Sequence, residues 1–354
     1  MDGALQSRFN LRARLSFRNV FICFEEVCHH VRSGYNLLRR PNCPQWAHAV
    51  GVAVVPCAVV LSTSPAPVVS RLAPTPSGFL HLGNAVNFVL TWLLTRRAQG
   101  TLHLRIDDLD RARLRPQYLE NIFRTIDWLG LDYDHGPSGP DDFERNYSQL
   151  HRLPEYEAVL QKLTRVPNLL YASSRSRTDS AVAAPVVPFN TPGAAWRAQV
   201  PVPTAIRFPD AWQGETAVRL DQLMPDFVVR KKDGVAAYQV ASVVDDLRLG
   251  TTLIVRGLDL QASTAAQLWL ARQLPTTAPF SAVRIRFYHH GLLTDAEGLK
   301  LSKSQQRPLA TGIVGETATP RPVYAAVARL LGLPLAAGES LGVLQAALAV
   351  ARTL

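Results

Sequence analysis

The chain has 354 residues, 47% of them hydrophobic and 19% charged, which is enough apolar content for a large core and excludes a disordered or low-complexity class. Its longest apolar run, Val52 to Leu61, is broken by Pro56 and is too short for a membrane span, which takes about 20 residues. A net charge of +10, from 38 Lys and Arg against 28 Asp and Glu, permits a polyanionic partner without requiring one.

In chain order, residues 1–66 differ in character from the remainder of the chain. They hold seven arginines against three acids and show no sustained periodicity, so a poorly structured N-terminal extension is expected there. The arginines at 8, 12, 14 and 18 lean toward a transit peptide, but Asp2, Glu25 and Glu26 dilute that signal. All four cysteines (Cys23, Cys28, Cys43, Cys57) lie in this segment and none forms a C-x-x-C pair. That argues against a disulfide framework or a thiolate zinc site in the rest, and a reducing cytoplasm is the expected location.

From residue 67 strands and helices alternate. A strand over 67–73 leads through Pro74, Pro76 and Gly78 to a helix over 82–98, where Leu82, Val86, Val89, Leu90, Leu93 and Leu94 recur at helical spacing. The strand TLHLRID comes next at 101–107, then a helix over 115–129 closed by Gly130. This alternation predicts an α/β fold with a Rossmann-like, doubly wound parallel sheet, whose ligands sit beyond the carboxyl ends of strands. His81, Asp107 and Asp108 fall at such ends.

Residues 165–225 are rich in Pro, Ala, Ser and Thr, with only short strand-like pieces (AWRAQV, TAIRF), and read as a small inserted subdomain. On this division, 67–164 and 226–310 are the two halves of the main domain. Alternation resumes with FVVR at 227–230, AYQVASVVDD at 237–246, the strand TLIVRG at 252–257, a helix over 260–273 and the strand RIRFYH at 284–289. Residues 311–354 form a short helical tail with helices expected over 321–332 and 340–353.

Two stretches carry chemistry. Residues 71–84, RLAPTPSGFLHLGN, make a tight bend at a helix N-terminus with His81 at the bend, a setting suited to an anionic nucleotide. The loop 300–304, KLSKS, is a cationic arm able to reach a triphosphate and neutralise charge developing on departing pyrophosphate. Taken alone, each is as well explained by a plain turn or a solvated basic loop. Their joint occurrence, each after a strand, is not.

These motifs resemble the class I aminoacyl-tRNA synthetases of the glutamyl/glutaminyl group. HLGN at 81–84 is similar to the HIGH signature and KLSKS to KMSKS. LRIDDLD at 104–110 resembles the glutamyl enzymes' LRIEDxD, and VVDDLRLGTTLIVRGLDL at 243–260 their VVDD and (V/I)RG block. The resemblance spans residues 67–310. With 50 residues after KLSKS, too few for a helical anticodon-binding domain, the chain is expected to be of the truncated kind that attaches glutamate to queuosine of tRNA(Asp). One rival is a glutamyl-tRNA synthetase charging the 3′ end of tRNA(Glu). Another is a catalytically silent paralogue that only binds RNA or a protein.

The resemblance implies roles for particular residues. Arg71 would pair with a substrate carboxylate, a task suited to a guanidinium fork. Thr75 and Asp107 would contact the ammonium end of glutamate, and Tyr238 and Arg256 would close its pocket with Arg256 on the side-chain carboxylate. ATP would lie against Pro74, Ser77, Gly78, His81, Gly83, Asn84, Lys300, Ser302 and Lys303. Among these, His81, Gly83, Lys300 and Lys303 would serve catalysis. The plain alternative for Arg71 and Arg256 is an ion pair with Asp107, Asp245 or Asp246. ATP with Mg²⁺ is the expected substrate, with L-glutamate and a tRNA as partners, no membrane, and a monomer.

Three positions depart from the family pattern. Asp107 stands for a glutamate and Asn84 for the second histidine of the signature. The family's Y-x-C-x-C-S-R zinc motif reads YASSRSR at 171–177, where Ser173 cannot act as a thiolate ligand, so no zinc is expected.

Overall fold

Alternating apolar residues in TLHL and the buried run of VSRL each set a short strand. The computed structural model describes residues 67–174, 186–291 and 312–351, all within one unit running from Ala66 to Leu354. Lys300, Ser302 and Lys303 lie outside the described residues. Strands β1 (Val69–Leu72) and β2 (Thr101–Leu104) pair in parallel, Val69 opposite Thr101 and Leu72 opposite Leu104. Parallel neighbours require a crossover, which helix α1 (Leu82–Arg97) supplies. Residues 88–95 of α1 are all buried, as expected of a helix packed on most of its sides.

Helix α2 (Pro116–Trp128) opens on a proline at its first turn and buries Leu119, Ile122 and Ile126 on one stripe. After α3 (Leu153–Leu163) come β3 (Leu170–Ser173), β4 (Val186–Val187), β5 (Ala195–Gln199), β6 (Ala205–Asp210), β7 (Gly214–Arg219) and β8 (Asp226–Arg230). Helix α4 (Tyr238–Arg248), β9 (Leu253–Gly257), α5 (Gln261–Ala271), β10 (Arg286–His290), α6 (Arg321–Leu330) and α7 (Leu341–Val350) complete the order.

Two larger sheets result. One is antiparallel, in the order β4-β3-β5-β8. The other runs β7-β6-β10-β9, with β9, β10 and β6 parallel and β7 returning antiparallel on β6. Residues 205–219, inside the stretch read as an insertion, therefore join β10, while β8, just past that stretch, closes the antiparallel sheet. The strand expected over 101–107 ends at Leu104. Beyond it the chain stays extended but runs along the loop after β1: Arg105 N donates to Leu72 O and Asp107 N to Pro74 O, each at 2.9 Å.

The start of β9 is stitched to β1. Thr252 N donates to Val69 O at 2.8 Å, Val69 N to Thr252 Oγ1 at 2.9 Å, and Ser70 Oγ to Leu253 O at 2.9 Å. β9 also separates two cores. Leu253 and Val255 pack with α1, β1, α6 and α7, while Ile254 packs with β5, β6 and α5. On β10, Phe287 and Tyr288 divide in the same way. Burial on both faces is what parallel strands require. It explains why LIV in β9 is an unbroken apolar run, and it brings the carboxyl ends of β1, β2 and β9 to one place.

Candidate active site

The bend after β1 is fixed by its own side chains. His81 is the N-cap of α1: its Nδ1 accepts from Gly83 N at 3.1 Å, and Asn84 Oδ1 accepts from His81 N at 3.0 Å. The two reciprocal bonds form a capping box and satisfy donors that a helix start would otherwise leave open. Asn84, where the signature carries a histidine, thus has its own task. A Cβ at position 83 would lie 2.9 Å from the His81 ring, so only glycine lets the ring fold over the helix start. The bend is tied to α2 through Leu80 N to Asn121 Oδ1 at 2.9 Å and Phe79 edge-on to Tyr118 at 5.0 Å. Burial lowers the His81 pKa, only partly offset by Asp259. With Nδ1 accepting, the neutral ring carries its proton on Nε2, a donor available at a helix N-terminus that already favours anions.

Behind the bend lies a buried charge network centred on Asp246, on α4. Its Oδ1 accepts from Arg71 Nε at 2.7 Å and Arg105 Nη1 at 2.8 Å, and Arg256 Nη2 stands 4.0 Å from its Oδ2. Burial pushes the Asp246 carboxyl up, but Arg71, Arg105 and Arg256 outweigh it and hold it below the usual range. Arg105 also forks onto Asp107, Nε to Oδ1 at 2.7 Å and Nη2 to Oδ2 at 3.1 Å. Burial raises the Asp107 pKa, with Arg105 opposing and Asp245 and Asp246 adding to the rise. Gln149 bridges Asp107 and Asp245 through Nε2, at 3.4 and 2.9 Å. Asp245 further accepts from Tyr156 Oη at 2.8 Å and Arg152 Nε at 2.9 Å.

Arg256, on β9, is 3% exposed. Its Nη1 donates to Thr264 Oγ1 at 3.0 Å and Gln267 Oε1 at 2.7 Å, two residues one turn apart on α5. Its Nη2 has no hydrogen-bond partner among the described residues. Burial lowers the Arg256 pKa, while the Tyr238 phenol acts in the opposite sense. A buried guanidinium with an open N–H edge is costly unless an acceptor comes to it. Tyr238, at the start of α4, is 40% exposed and acts electrostatically on this buried cation.

The structure thus gathers Arg71, Asp107 and Arg256 into one buried network, with Tyr238 close to Arg256 at its edge. Pro74 is buried and its carbonyl holds Asp107 N, while Thr75 is exposed on the same loop, its carbonyl accepting from Ser77 N at 2.9 Å. Arg71 makes the ion pair with Asp246 that the plain alternative anticipated, and Arg256 Nη2 also stands at ion-pair distance from Asp246, while its hydrogen bonds go to neutral groups. The roles of Arg105, Gln149, Thr264 and Gln267 escape a reading of the sequence, because their partners lie up to 141 residues away. Among the described residues no three His, Cys, Asp or Glu side chains gather as a metal site.

The model of the class I tRNA synthetase (E and Q) catalytic domain matches residues 67–166 and 190–347. The chain belongs to this family. A glutamyl-Q tRNA(Asp) synthetase of Symbiobacterium thermophilum is 37% identical over 288 residues, 74% of this chain and 86% of that protein. The proteins of the same name from Nitratidesulfovibrio vulgaris and Burkholderia mallei are 34% and 36% identical, covering 67% and 78% of this chain and 78% and 93% of their own lengths. Among solved structures, the glutamate-tRNA synthetase of Elizabethkingia anophelis superposes with a TM-score of 0.57 at 24% identity, over 69% of this chain. That likeness concerns the fold, and the chain spans 54% of the length of that enzyme.

In this synthetase-family chain the His81 cap depends on a neutral ring. Folding lowers its pKa below the ordinary 6.5, so the cap's contribution is complete above that value and is lost as pH falls through the lowered one. Ring ¹⁵N titration by NMR is expected to give a His81 midpoint below 6.5; a midpoint at or above 6.5 would contradict the cap. Asp246→Ala strips three buried guanidiniums of their shared counter-charge and is expected to cost about 3–5 kcal/mol in urea unfolding. A loss under about 1 kcal/mol, the range of an exposed pair, would show that Asp246 does not hold them.

Proposed function

We propose that the protein activates L-glutamate with ATP to glutamyl-adenylate and transfers the glutamyl group to queuosine of tRNA(Asp). The observation that carries the amino-acid choice is Arg256, a buried cation with an unspent Nη2 edge beside Tyr238, in a chain 34–37% identical to glutamyl-Q tRNA(Asp) synthetases. A side-chain carboxylate satisfies that edge, and a neutral amide does so less well. The parallel strands β2, β1, β9, β10 and β6 are read as one doubly wound Rossmann-like sheet, with the antiparallel β3, β4, β5 and β8 as the inserted subdomain. This arrangement suits a ligand lying across the carboxyl ends of β1 and β9.

On this reading Arg71 and Thr75 face the amino acid together with Asp107, Tyr238 and Arg256. Pro74, Ser77, Gly78, His81, Gly83 and Asn84 face ATP, which enters as its Mg²⁺ complex. An α-carboxylate oxygen of glutamate attacks the α-phosphorus in line. The new O–P bond forms as the bond to the pyrophosphate oxygen breaks, with no covalent enzyme intermediate. The His81 Nε2–H and the N-terminus of α1 offer fixed donors to phosphate oxygens, and Lys300, Ser302 and Lys303 take up the charge growing on pyrophosphate. Positioning and charge neutralisation then carry the rate.

The acceptor is tested by incubating the protein with ATP, labelled glutamate and each of three RNAs: tRNA(Asp) with queuosine, tRNA(Asp) without it, and tRNA(Glu). Label is expected on the queuosine-bearing tRNA(Asp) alone. Label on tRNA(Glu) alone would overturn the acceptor and favour charging of a 3′ end.

A further inference from the structure

Arg256 is the near end of a buried relay that reaches across two sheet strands. Its Nη1 donates to Thr264 Oγ1 at 3.0 Å, and Thr264 Oγ1 lies 2.9 Å from His289 Nε2. On the other side of the ring, His289 Nδ1 lies 2.6 Å from Asp210 Oδ2. Asp210 is itself held firmly: backbone N–H groups of Trp212, Gln213 and His289 donate to its carboxylate at 2.9, 2.8 and 3.1 Å. The His289 carbonyl accepts from Gln213 Nε2 at 2.7 Å, so the ring's backbone is pinned as well as its edges.

Aspartate, histidine and a hydroxyl in this order resemble the constellation that activates a nucleophile. That use does not fit here, because the Thr264 oxygen is fully buried and already held by Arg256 Nη1. No substrate carbonyl reaches Thr264. What does reach it is Arg256. With the ring proton on Nδ1 toward Asp210, Nε2 accepts the Thr264 O–H, for which Leu260 O at 3.3 Å is a second acceptor; in either case the Thr264 oxygen accepts Arg256 Nη1–H. Gln267 Oε1 takes the same nitrogen from the next turn of α5 at 2.7 Å. The guanidinium therefore cannot rotate its Nη2 edge out of place without breaking this set. That open edge is the feature a free acceptor group would meet.

We propose that His289 is a positioning residue for recognition of the acidic side chain, acting on Arg256 through Thr264 and anchored by Asp210. This rests on the reading that Arg256 holds the side-chain carboxylate of glutamate. The relay spans β6, β10, α5 and β9, so it converts the packing of the sheet into a fixed angle of one cation. None of the hydrogen bonds that make it up reaches the start of α1. Its loss therefore acts on one substrate and not on the other.

The test uses the full chain and glutamate-dependent ATP–pyrophosphate exchange, with Thr264→Val, Thr264→Ser, His289→Asn and Arg256→Gln beside the unaltered protein. Thr264→Val removes the hydroxyl at nearly constant volume, Thr264→Ser keeps it, and His289→Asn keeps a group for Asp210 but none that reaches Thr264. Thr264→Val and His289→Asn are expected to raise KM for glutamate about tenfold or more, the scale of one lost buried hydrogen bond to a charged group, with KM for ATP within twofold. Both should lower the preference for glutamate over glutamine, Thr264→Ser should restore both values, and the double variant should cost less than the sum of the singles. If Arg256→Gln raises KM for glutamate while Thr264→Val and His289→Asn leave it unchanged, or raise both KM values together, the relay is wrong. If Arg256→Gln itself leaves KM for glutamate unchanged, the reading of Arg256 fails, and the relay fails with it.

Discussion

One carboxylate sets the geometry of the site. Asp246 projects from α4 and meets Arg71 from β1, Arg105 from the chain just past β2, and Arg256 from β9. Three guanidiniums brought this close would repel one another in a dry interior, and each would cost several kcal/mol to strip of water. A shared counter-ion makes their convergence tolerable. It also fixes the strand ends relative to the helix on which Tyr238 opens. The same packing that buries these charges leaves Arg256 Nη2 and Asp246 Oδ2, 4.0 Å apart, each without a hydrogen-bond partner among the described residues.

The fold supplies the frame for this arrangement. β9 and β10 are covered on both faces, which rules out slippage of register because a shift by one residue would exchange the two cores. The stitches from Thr252 and Ser70 then lock β1 against β9. Since the loop after β1 leads to the His81 cap and is itself tied to the chain past β2, the bend and Arg256 are held on one set of strands. The distance between the helix start and the buried arginine is thereby set by backbone, not by a flexible hinge.

Much of this architecture is legible in the residues. The bend at 74–84 declares itself by Pro74, Pro76 and Gly78 ahead of helical spacing, and the helix begins at Leu82 as that pattern requires. LRIDDLD and the VVDD block carry the network's acids, so the position of the site is readable. Its wiring is not. That Asp246 serves three arginines depends on contacts over as many as 175 residues of chain, and no local pattern encodes them. The joining of residues 205–219 to β10 is equally hidden, because TAIRF looks like any short strand and only its parallel partner places it. Asn84 looks like a loss from the signature, yet its side chain closes the cap that fixes His81.

In the proposed function, the edge of Arg256 left without a hydrogen bond selects an acidic amino acid for activation. The most direct measurement is ATP–pyrophosphate exchange by the intact protein without any RNA, run with glutamate, aspartate and glutamine in turn at saturating ATP. Exchange with glutamate, and little or none with the shorter acid or the neutral amide, is the expected result. Equal exchange with glutamine, or none with any of the three, would contradict it.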